Sequence, residues 1–136
     1  MFGFGQKDIE LTPYLSLAVA SVYMIAADGT LADEEMGTLI AMFGGDENII
    51  QDATEYIKQN DDLENNISTI NAMLNSEQKE IMLINLLDIL LADGEADESE
   101  RGLFFMFSAG FGFEQSDLET FFDVISKKNN FGIFQQ

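Results

Sequence analysis

Two short stretches hold most of the chemistry open to this chain. Ala27-Asp28-Gly29 is followed, after five residues, by Glu35; Ala92-Asp93-Gly94 is followed, after five residues, by Glu100. In each copy the Asp closes a long apolar run read as a helix. The helix dipole disfavours negative charge there by a few tenths to ~1 kcal/mol. The Gly permits a sharp turn, and the Glu falls in the first turn of the next helix. Asp and Glu can then face each other across the corner. Hard divalent cations of the calcium or magnesium type take such carboxylates and turn carbonyls as ligands. An ion placed there would also relieve Asp28 and Asp93 of their poor position. The expected metal ligands are therefore Asp28, Glu35, Asp93 and Glu100, with Asp33, Asp97, Glu98 and Asp88 as weaker candidates.

The spacing echoes half of an EF-hand loop, in which a Glu follows the invariant Gly by six positions. The other half is missing. The earlier ligand positions are Met24 and Ala26 in one copy, Ile89 and Leu91 in the other. Any site must draw ligands from the other corner or from water. A purely structural reading stands beside this one. Asp97 and Glu100 have the spacing of a capping box, and Asp33 can cap the helix of the first copy, where Ala32 cannot. Asp88 lies within Leu86-Leu87-Asp88-Ile89-Leu90, on a helix expected to be buried. A buried carboxylate needs a partner. The matching residue in the first half is Tyr23, and a Tyr23–Asp88 hydrogen bond is expected ahead of a ligand role.

Composition narrows the function classes. The chain has 136 residues, with 25 acidic against 6 basic side chains and a formal net charge of −19. Nucleic acid and anionic lipid would be repelled, since both are held by Lys and Arg. Cations, or a basic patch on another protein, would be attracted. There is no His and no Cys. That removes imidazole and thiolate as bases, nucleophiles or ligands. Catalysis would rest on carboxylates, Lys, Ser, Tyr or metal-bound water, and no sugar-binding Trp or phosphate loop accompanies them. A non-enzymatic role is expected. The longest apolar run, Met82 to Ala92, is about half of what a membrane span needs. The first residues lack the pattern of a secretion signal, so a cytoplasmic location is expected.

The elements that must position the corners read as helices throughout. Thr12-Pro13 starts a first helix running to about Ala27, apolar almost all round. Gly29 is expected to stop it. A second helix starts near Asp33 and ends at Gly44-Gly45. Asp46 caps a third, broken by Asn60-Asp61-Asp62, and a fourth runs from Leu63 to Leu74. Asn75-Ser76 caps a fifth that reaches about Ala92, with Gly94 as its stop. The sixth runs from Glu98 to Ala109, and Ser116 caps a seventh. No stretch alternates as a strand does. The expected fold is a single all-α domain of about seven helices with an internal pseudo-twofold duplication. Its core spans 12–127, and the Phe-rich ends 1–11 and 128–136 either dock or stay flexible.

The paired Ala-Asp-Gly corners, on helices of this length, resemble the TerB-like family of tellurite-resistance proteins over most of residues 12–127. The resemblance implies a compact helical fold with internal pseudo-symmetry. It also implies an acidic surface that binds divalent metal through Asp28, Glu35, Asp93 and Glu100. The implied context is bacterial stress response, in assemblies at the inner face of the membrane. The resulting expectation is a cation-binding module. Its rival is a metal-independent scaffold whose acidic face docks a basic partner.

Overall fold

In the computed structural model, residues 8–27, 33–92 and 98–135 are described. They form seven α-helices and one short 3-10 turn: α1 (Pro13–Ile25), α2 (Asp33–Met42), α3 (Glu47–Gln59), α4 (Leu63–Met73), α5 (Ser76–Leu91), α6 (Glu98–Gly110), α7 (Gln115–Lys128), and Phe131–Gln135. No strand occurs among them. The all-α reading is correct, and the helices fall within a residue or two of their expected bounds.

Local chemistry sets the starts and stops. The Thr12 side chain accepts from the Leu15 amide at 3.1 Å, and Pro13 takes the first helical position, where its missing N–H costs nothing. Asp46 accepts from the amides of Asn48 and Ile49, at 3.0 and 3.3 Å, and so opens α3. Asn75 and Gln78 close a reciprocal capping box on α5. At the end of α2, Gly44 and Gly45 take φ of 69° and 88°, left-handed values that a side chain would resist. One start differs from expectation. Helix α7 begins at Gln115 with Glu114 as its N-cap, and Ser116 lies inside the first turn. The Asp117 carboxylate accepts from the Glu114 amide at 3.0 Å, so an acid two residues beyond Gln115 does the work assigned to the serine.

Two helices form the centre. Leu15, Ala18, Val19, Val22 and Met24 of α1 are buried, as are Met82, Leu83, Leu86, Leu87 and Leu90 of α5. The two pack on each other. Helix α1 is further covered by α3, and α5 by α6 and α7. Burial on nearly every side explains why α1 tolerates Ser16 and Ser21 at 0% exposure. Each hydroxyl donates to a carbonyl of its own helix, Pro13 O and Leu17 O. Ile9 and Leu11 lie against this core, so the described part of segment 1–11 is docked. The other end is not: Phe131, Ile133 and Phe134 are exposed.

Candidate cation site at the two corners

The first turn of α2 carries Asp33, Glu34 and Glu35; that of α6 carries Glu98 and Glu100. Acidic side chains are favoured at helix N-termini by the dipole, whatever else they do. What matters for a site is where they meet. Glu35 and Glu100 line one cavity of about 980 Å³, together with Asp88 of α5. The starts of α2 and α6 therefore border a common space beside α5, closed at one side by the end of α7. Thr38 and Asn85 add neutral oxygen donors to its wall.

The remaining candidates divide. Asp33 is exposed and is not on this wall. Glu98 lines a different cavity, beside Tyr23. Asp28, Asp93 and Asp97 lie outside the described residues, as do the turns at Gly29 and Gly94 and the residues Phe2 and Phe4. Among the described residues, no three acidic side chains come close enough together to hold a metal ion. The donor set present is hard oxygen, which suits calcium or magnesium in kind. Glu35, Asp88 and Glu100 could reach such an ion through its water shell.

Asp88 is placed otherwise than the sequence suggests. It is 41% exposed, and Lys128 Nζ lies 3.1 Å from both of its carboxylate oxygens. Asn129 Nδ2 donates to the same carboxylate at 3.4 Å, and Lys128 Nζ also donates to Asn129 Oδ1 at 3.3 Å. The expected Tyr23–Asp88 hydrogen bond is absent. Tyr23 Oη instead accepts from Asn66 Nδ2 at 2.8 Å, on the far side of α1. Asn66 is 1% exposed and also donates to Asn60 O at 2.7 Å. The physical reason is helix rotation. Asp88 faces the cavity rim, so it needs no buried phenol, and Tyr23 turns towards the α3–α4 junction. Burial pushes the Tyr23 phenol above its ordinary range, a shift partly offset by the Asn66 hydrogen bond.

Lys128 and Asn129 were not legible as site residues. The available signal was Lys127-Lys128 at the C-terminal turn of α7, where cations are stabilised by the dipole. It read as a cap. Only the packing of α7 on α5 brings it to Asp88.

The class so defined is an all-α module whose two acid-rich helix starts share one cavity. The chain belongs to the TerB family: the family model described as "Tellurite resistance protein TerB" matches residues 14–121. That match ends inside α7, before Lys128. No curated protein and no solved structure matches the chain.

Proposed function

We propose that the chain is a non-enzymatic acidic helical module that takes up a divalent cation, of the calcium or magnesium type, at the cavity between its two corners. The observation that carries this reading is that Glu35 and Glu100, one from each corner, line the same cavity as Asp88. A second observation supports it: the chain's own ammonium group, Lys128, already sits on Asp88 in that cavity. A net charge of −19 favours cation approach from a distance, within the Debye length of about 10 Å at 0.1 M salt. Asp28 and Asp93 would complete the ligand set. A cytoplasmic location and a stress-response setting go with this reading; no helix among the described residues is long and apolar enough to cross a membrane.

The test is a calcium and magnesium titration followed by amide NMR and by melting temperature. Signals of residues 28–35, 88 and 93–100 should move together, and the melting temperature should rise with free metal, as binding to the folded state requires. No response at millimolar metal would overturn the proposal. The Lys128 contact also favours a second reading, in which a Lys or Arg of a basic partner enters the cavity. Partner binding that falls with ionic strength and ignores calcium would select it.

A further inference from the structure

Asp88 does more in this structure than border a cavity. Ile125 is the last buried side chain of α7, and every residue from 126 to 135 is exposed. The segment beyond Ile125 therefore gains little from apolar packing. Its backbone hydrogen bonds at the junction are local, from the amides of Asn129, Asn130 and Phe131 to Ile125 O, Lys127 O and Asn129 O. Among the described residues, the hydrogen bonds that tie it to another helix all end on Asp88. Lys128 Nζ donates to both carboxylate oxygens at 3.1 Å, and Asn129 Nδ2 to one of them at 3.4 Å. Phe131, two residues on, lines the same cavity. Asp88 is thus the point at which residues 128–135 are fastened.

We propose that Asp88 is a latch on the segment that follows α7, and that a divalent cation taken up at Asp88 releases it. The trigger rests on the cation reading above; the latch itself does not. Ion and ammonium compete for one carboxylate, because Lys128 already occupies both of its oxygens. A calcium ion bound directly to either oxygen, at about 2.3–2.6 Å, would stand within about 6 Å of Nζ, where the two positive charges repel. Letting go is also easy. The paired side chains are 57% and 41% exposed, so loss of the ion pair shifts the latched-to-released ratio by only about 1.4- to 5-fold. After release, Lys128 keeps its favourable place at the C-terminal end of the helix dipole. Buried Ile125 keeps α7 itself on the core. Occupancy of the cavity then becomes mobility of Phe131–Gln135, the turn that carries the exposed Phe131, Ile133 and Phe134.

Amide NMR of the full chain provides the test. Asp88→Ala, without metal, removes the acceptor from 40 positions away and leaves the segment's own sequence intact. The Asn129 side-chain amide and the backbone amides of residues 130–135 should shift, and their heteronuclear NOEs should fall to those of mobile backbone. Lys128→Met should move the same signals part of the way. Both positions are exposed, so the fold should survive, as circular dichroism would check. Calcium added to the wild type should carry these signals along the same line, with the midpoint of the Glu35 and Glu100 signals. Sodium chloride at equal ionic strength should not; if it does, screening opens the latch and the cation trigger is wrong. Wild-type signals in both metal-free variants would mean that nothing is fastened at Asp88, and would overturn the latch whatever calcium does. Calcium that moves Glu35 and Glu100 but leaves residues 130–135 in place would overturn the release and spare the cation reading. If calcium moves none of them while Asp88→Ala does, the cation reading has failed, and the trigger falls with it.

Discussion

Replacing Lys128 with Met tests whether the cavity is a cation site in which the chain supplies its own competitor. Lys128 Nζ lies 3.1 Å from both Asp88 oxygens, with the two side chains 57% and 41% exposed. A pair this solvated is worth only about 0.2–1 kcal/mol. A metal ion recruiting Asp88 must first displace it, which lowers its affinity by about 1.4- to 5-fold, at 1.4 kcal/mol per factor of ten. The ammonium also repels the ion. At a separation of about 6 Å in water, a divalent charge and a lysine repel by about 1.4 kcal/mol, less in salt. Both effects belong to one group, so they overlap rather than add. Lys128→Met should tighten calcium binding by about two- to tenfold, with the larger gain at low salt. Met keeps most of the stem's apolar contact, so stability should fall by no more than about 1 kcal/mol. Isothermal calorimetry at 20 and 150 mM salt would measure the affinity, with Asp88→Asn as the control that removes the carboxylate itself. If Lys128→Met binds calcium no more tightly than the wild type while Asp88→Asn weakens it, the ammonium is not a competitor. If neither change alters affinity, Asp88 and its side of the cavity have no part in binding.

Three further outcomes follow from the packing. Phe107 is 0% exposed, with ring centroids 6.4 Å from Tyr23 and 5.9 Å from Phe111, so Phe107→Ala should cost about 3–5 kcal/mol in urea unfolding. A Cβ on Gly110 would meet Ile67 Cγ2 at 2.5 Å, and Ile67 is buried, with that methyl fixed on its branched Cβ. Gly110→Ala should therefore cost about 1–3 kcal/mol, and a double-mutant cycle with Ile67→Ala should recover part of it. The Tyr23 phenol is raised above its ordinary value of 10.0, chiefly by burial. A raised folded-state value means that its contribution is intact below pH 10 and is lost as pH climbs through the raised value. Tyr23→Phe should cost about 1 kcal/mol at pH 7, because Asn66 keeps only Asn60 O as acceptor, and should flatten the alkaline fall in stability above pH 10. Denaturant melts at pH 7, 9 and 11 would check both parts.

The helices were legible because their signals are local. A Thr-Pro start, a Gly-Gly stop and Asp or Asn caps each act within four residues, and the structure uses nearly all of them. The exception at Ser116 is informative: two potential caps lay within three residues, and a side-chain bond from Asp117 decided between them. That Glu35 and Glu100 face one cavity was only half legible. The repeat placed each at a helix start, but their meeting depends on how α2, α5 and α6 pack, and spacing along the chain does not encode that. Asp88 was misread for a related reason. An acid in an apolar run looks buried, and a helix that is apolar on most sides still has one edge facing a cleft.

Lys128 shows where such reading stops and why. Its partner is 40 positions away in sequence, and no local pattern links them. The TerB match ends at residue 121, so the ammonium enters from outside the matched region. The duplicated corners supply the negative charge, and the end of α7 supplies the counter-charge. If that division is functional, trimming the chain after Ser126 should release the competitor while keeping the buried Ile125 in place. The trimmed chain, provided that it stays folded, should then bind calcium at least as tightly as Lys128→Met. Weaker binding by a folded, trimmed chain would mean that the end of α7 builds the cavity rather than guarding it.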